Sequence, residues 1–90
     1  MLRIGRGPGN EMVVADMRAS GNHASIEWRG DQFFLKDLSS NGTYVGMQGN
    51  QEVLLEKKEI PLEGSGLIGL GRSTVTDPDQ CIRFAIQRRG

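Results

Sequence analysis

Residues 37–46 read DLSSNGTYVG: two serines, an asparagine, a glycine and a threonine between two apolar stretches. An Asn-Gly pair flanked by alternating runs is the strongest short-range signal for a β-hairpin. A bend here makes QFFLKDL before it and TYV after it two strands, which commits the centre of the chain to β structure. Asn41-Gly42 alone would satisfy the bend. Ser39, Ser40 and Thr43 are surplus to it, so they either bond the loop to itself or face a ligand.

The same grammar repeats outward. ASIEWR sets Ala24, Ile26 and Trp28 on one face against Ser25, Glu27 and Arg29 on the other, the period of a strand. Gly30-Asp31 then turns the chain into QFFLKDL. Near the end, QCIRFAIQ sets Ile82, Phe84 and Ile86 against Cys81, Arg83 and Ala85. Shorter apolar segments (LRIG, EMVVA, EVLLE, KEIPL and LIGLG) are punctuated by scattered glycines. No long segment keeps apolar residues at helical spacing, although NEMVVADMRA and EVLLEKKEI would tolerate a helical turn or two. Many short strands joined by turns predict an all-β sandwich or barrel.

The totals narrow the function classes. Ninety residues make one domain, 1–90, with a thin core. Eleven basic and eleven acidic residues cancel, which argues against general attraction to nucleic acid or to an anionic membrane. A local anion site needs only one or two well-placed cations and stays open. Cys81 is the single cysteine, so neither a disulfide framework nor a multi-cysteine metal site is expected. The N-terminal MLRIGRGPGN is no signal peptide, and no apolar run nears the roughly 18 residues of a membrane span. A soluble cytoplasmic chain is the expectation.

Four motifs point to chemistry that their context does not support. GSGLIG at 64–69 spells G-x-G-x-x-G, but no helix follows, so it reads as the glycine-rich start of a strand and no cofactor is expected. Arg29-Gly30-Asp31 is a natural hairpin turn. Asn41-Gly42-Thr43 matches a glycosylation sequon that is idle without secretion. Ser20, His23 and Asp37 could be drawn as a hydrolase triad, yet no strand–G-x-S-x-G–helix elbow supports it. One histidine builds no metal site without carboxylate partners at suitable spacing, and His23 reads as a structural hydrogen-bonder.

Three segments remain, all at strand ends: IGRG at 4–7, SGNH at 20–23 and LSSNGT at 38–43. They supply a guanidinium, hydroxyls, a carboxamide and backbone N–H groups, and no activated nucleophile. That inventory suits a phosphate that is bound and not transformed, because a guanidinium matches phosphate oxygens and hydroxyls serve those left over. The carboxamide can donate and accept at once, as holding a peptide backbone requires.

Gly5-Arg6, then Ser20 with His23 three positions on, then DLSSNGT, resembles the signature of the forkhead-associated (FHA) domain. IPLEGSGLIGLG is similar to that family's late strand. The resemblance implies an FHA-type (SMAD/FHA) β-sandwich, eleven-stranded in the family and mostly antiparallel, that reads phosphothreonine peptides through its apical loops without catalysis. Carried over by position, Arg6, Ser20 and Ser40 would bind the phosphate and Asn41 the peptide main chain. Gly5, His23, Gly42 and Thr43 would shape the loops. Arg18 lies where some members read a residue beyond the phosphothreonine, or else it is a solvated loop charge. Ser39 and Thr43 are expected to bond within the loop.

Two departures from the family pattern stand out. Gly21 occupies the place of a second arginine, unless Asn22 turns inward to replace it. Ile-Gly-Arg begins at residue 4, so the family's two N-terminal strands are lacking here: either the chain is a fragment of a longer protein, or QCIRFAIQ is left as an open edge suited to self-association or strand swapping. These departures keep a second reading alive, an interaction or oligomerisation module on the same scaffold that has lost phosphate dependence. The wording VVADMRAS…HASIEW…FFLKDLSSNGTYV also resembles tails attached to bacterial adenylate or guanylate cyclases.

Overall fold

The computed structural model describes residues 1–87, and those residues fold as nine strands and one short 3-10 turn at Pro78–Gln80. In chain order the strands are β1 (Leu2–Gly5), β2 (Met12–Val13), β3 (Ala24–Arg29), β4 (Gln32–Asp37) and β5 (Thr43–Met47). They continue as β6 (Val53–Leu55), β7 (Glu59–Leu62), β8 (Ser65–Leu70) and β9 (Ile82–Ala85). One sheet has the order β2-β1-β3-β4-β7 and the other β6-β5-β8-β9. Every pairing is antiparallel except that of β1 with β2.

Register follows the period-two patterning. β3 and β4 pair from Ala24 opposite Asp37 to Arg29 opposite Gln32, closed by Gly30. Val45 of β5 lies opposite Ile68 of β8, and both are fully buried. Ile4, Ala24, Leu35 and Leu62 of the first sheet meet Val45, Leu55, Ile68 and Leu70 of the second, forming the core between the layers. Each large aliphatic side chain so buried contributes about 1.5–3 kcal/mol. GSGLIG is the start of β8, as its glycine pattern implied.

Some expectations need correction. EMVVA is ordered as a strand only over Met12–Val13, although the Val14 N–H still reaches the Gly5 carbonyl. Neither ambiguous segment takes a helical turn. Trp28 does lie on the same face as Ile26, yet it is 70% exposed. At that end of β3 the second sheet no longer covers the face, and Trp28 stacks instead on Phe33, its cross-strand partner.

The described residues form nine strands, where the resemblance implied eleven for the family. Among the described residues, β9 lies at an edge of its sheet. Beside it, a groove of about 440 Å³ opens between the layers, lined by Leu2, Ile26, Trp28, Phe33, Phe84 and Ile86. Met1 and Gln87 also line this groove, so the first and last described residues sit together. No helix among the described residues is long and apolar enough to cross a membrane.

Candidate functional site

The strand directions bring the loops 6–11, 14–23, 38–42 and 71–81 to one end of the sandwich, remote from the groove. Backbone bonds tie these loops together. The Arg6 N–H donates to the Ser20 carbonyl at 3.0 Å and Gly7 N–H to the Gly21 carbonyl at 3.0 Å. The Gly71 N–H donates to the Gly42 carbonyl at 3.0 Å. Ser40 N–H approaches Ser20 Oγ at 3.4 Å, and Asn41 Nδ2 donates to the Arg18 carbonyl at 3.2 Å.

DLSSNGT is organised by a residue that the sequence had offered only as the acid of a triad. Asp37, 1% exposed, accepts at Oδ1 from Ser39 N–H, Ser39 Oγ–H and Thr43 Oγ–H, and at Oδ2 from Lys57 N–H. Burial pushes its carboxyl up, but these donors outweigh burial and hold it below the usual range. Ser39 Oγ also accepts from the Gly42 N–H at 2.8 Å. Ser39 and Thr43 thus turn inward, and Ser40 and Asn41 are left exposed. Gly42 has φ +87°, which its lack of a Cβ makes inexpensive.

His23 is fully buried between two of the loops. The Ser20 N–H can only donate, so Nδ1 accepts it at 2.9 Å. The Gly42 carbonyl can only accept, so Nε2 carries the proton and donates at 2.9 Å. This neutral tautomer faces the backbone of Ser20 and not its hydroxyl, which leaves no hydrolase triad. Burial chiefly pushes the His23 pKa down.

The charges at this end are unequal. Arg72 makes a two-pronged pair with Asp16 at 2.6 and 2.9 Å and lies 3.2 Å from Asp77. The Arg72 guanidinium, helped by the Arg18 N–H, holds the Asp16 carboxyl down at about 2. Arg18 lies 3.6 Å from Asp77 and is more than half exposed. Arg6, by contrast, meets no carboxylate among the described residues; Nη1 donates only to Met17 Sδ at 3.5 Å.

Gly5 closes β1 against the Gly21 carbonyl oxygen, which a Cβ at Gly5 would overlap. Gly21 itself is exposed, with open space where a side chain would project. Asn22 is exposed as well. Two further participants escaped the sequence reading. Asn10 carried no motif, and the Asp16–Arg72 pair joins residues 56 positions apart. Asp37 did carry a signal, since an acid followed within six residues by Ser39 and Thr43 has donors at hand.

The arrangement is a shallow, polar platform with one unneutralised guanidinium and no nucleophile–base pair, suited to binding an anion on a peptide. Among solved structures, the FhaA FHA domain complexed with the intracellular domain of Rv3910 is similar, with 35% identity and a TM-score of 0.62. The likeness covers 78% of this chain and 70% of that one. A chain from work on phosphothreonine-dependent FHA domain interactions matches with 35% identity and TM-score 0.62, over 78% of this chain and 67% of its own. EmbR of Mycobacterium tuberculosis, in complex with a low-affinity phosphopeptide, matches with 31% identity and TM-score 0.63. That match covers 74% of this chain but only 16% of EmbR. No curated protein matches. The FHA-domain sequence pattern matches residues 2–71. A sequence pattern fitted over most of the chain and a sandwich shared with FHA structures agree: the chain belongs to the forkhead-associated domain family.

Proposed function

We propose that residues 1–90 act as a phosphothreonine-peptide binding module, holding the ligand on the loop end without chemical change. The observation that carries this reading is Arg6, a guanidinium on the loop platform with no carboxylate neighbour among the described residues. In this reading Arg6 and the hydroxyls of Ser20 and Ser40 take the phosphate oxygens, and Asn41 takes the peptide main chain. Ser20 Oγ accepts from Ser40 N–H, so its own proton is available to a phosphate. Gly5, His23, Gly42 and Thr43 shape the loops. Arg18 contributes less, because Asp77 already balances it. Similar chains are recorded in complexes with phosphopeptides or in phosphothreonine-dependent interactions, which supports the reading. Paired phosphorylated and unphosphorylated threonine peptides test it by fluorescence anisotropy. Equal affinity for both would end it.

A second reading rests on a separate observation. β9 is an edge strand beside an open apolar groove, and such edges pair with other chains. Self-association through β9, with or without phosphate dependence, is the function it suggests, and a clean monomer in sedimentation at high concentration would count against it. The parent chain we propose is a bacterial adenylate or guanylate cyclase, on the likeness of its wording alone; the sequence flanking these residues in the genome would decide.

A further inference from the structure

Asn10 lies in the glycine- and proline-rich turn after β1, yet it is only 7% exposed. Its side-chain nitrogen Nδ2 donates to the Gly7 carbonyl at 2.8 Å and to the Gly21 carbonyl at 2.7 Å. One proton therefore goes to the loop that begins with Arg6, the other to the loop that contains Ser20. We propose that Asn10 is a positioning residue of the phosphopeptide site, fixing the distance between Arg6 and Ser20; the inference rests on the function proposed above.

The surrounding geometry has the form of a clamp. The Gly21 carbonyl accepts from both Asn10 Nδ2 and the Gly7 N–H, and the Ser20 carbonyl accepts from the Arg6 N–H. The bare backbones of Gly5 and Gly7 make the approach possible. A Cβ at Gly7 would lie 3.1 Å from the Gly21 oxygen, and one at Gly5 would lie 3.0 Å from Asn10 Nδ2. A primary amide is the side chain this place requires, because two carbonyls converge on one nitrogen that carries two protons. A carboxylate has none to give, and a hydroxyl has one. Asn10 is too buried to meet a ligand, so it acts through the loops it joins. A phosphate held by both Arg6 and Ser20 needs each donor within hydrogen-bond reach, where a shift of a few tenths of an ångström weakens the bond. With glycine at 21 no neighbouring guanidinium makes good the loss.

The test compares phosphothreonine-peptide affinity for the wild type, Asn10→Asp and Gly7→Ala, measured well below each melting temperature. Ile68→Val, a core change remote from both loops, is the control that lowers stability only. Asn10→Asp should weaken binding about tenfold and Gly7→Ala about threefold, with Ile68→Val unchanged. Gly7→Ala keeps the question answerable if Asn10→Asp does not fold. Wild-type affinity from a folded Asn10→Asp, or from Gly7→Ala when the first variant is unfolded, overturns the inference. Equal weakening by Ile68→Val would also overturn it, by making the effect one of stability. A wild type that ignores phosphorylation would instead remove the function on which it rests.

Discussion

His23 donates a hydrogen bond from Nε2 to the carbonyl oxygen of Gly42 across 2.9 Å, a buried link between the segment of Ser20 and the segment of Asn41. Burial chiefly makes the ring hard to protonate, and Lys57 adds to that, against the opposing pull of the Gly42 carbonyl, Asp37 and Asp16. The folded-state pKa therefore lies below the unfolded value of about 6.5. Below that pH the unfolded chain takes up a proton that the fold refuses. His23's contribution to stability is then complete above about pH 6.5 and is lost as pH falls through the folded-state value. Circular-dichroism melts should show a steady melting temperature from pH 8 to 7 and a decline from 6.5 to 5. In His23→Gln that decline should flatten, from a lower starting stability. An equally steep decline in the variant would assign it to other groups.

Arg6→Ala should abolish measurable phosphopeptide binding, a loss of at least about a hundredfold, since two charge-assisted bonds contribute on the order of 3 kcal/mol or more. Among the described residues its guanidinium hydrogen-bonds only to the Met17 sulfur, so the melting temperature should move little. Titration calorimetry beside a thermal melt separates the two effects.

Gly21→Arg should tighten binding by about tenfold, by restoring one charge-assisted contact. Nothing lies within 4 Å of the position where its Cβ would project. The added charge should also make binding more sensitive to salt, which anisotropy titrations at two ionic strengths would reveal.

Asp37→Ala should cost about 3 kcal/mol or more, because it strands the buried donors of Ser39 and Thr43 and takes the acceptor from the half-buried Lys57 N–H. Thr43→Val removes one of those donors and should cost about 1–2 kcal/mol. Urea denaturation of the three proteins checks the order.

Much of the sheet framework can be read from residue alternation, because a half-buried strand must place apolar groups at every second position. That logic located β3 and β9, while the turn at Gly30-Asp31 placed β4 and a glycine-rich entry placed β8. EMVVA, read as a short apolar segment, is a strand only over Met12–Val13, after which the chain turns off toward Asp16. Alternation misjudged Trp28, since a face can be apolar without having a layer above it. At the loop end, the inventory of three strand-end segments pointed to a bound phosphate, and the family likeness then named Arg6, Ser20, Ser40 and Asn41 for it. Asn10 and the Asp16–Arg72 pair escaped both methods. Asn10 reaches the Gly21 carbonyl 11 residues on, and Asp16 meets a charge 56 residues away, partners that only the folded backbone brings near.

Met1 and Gln87 share the groove at the pole opposite the loops. A dye, affinity tag or surface linker joined at either place would therefore sit behind the platform and leave it facing solution. Immobilised measurements could then be compared with those made free in solution, with no correction for blocked access.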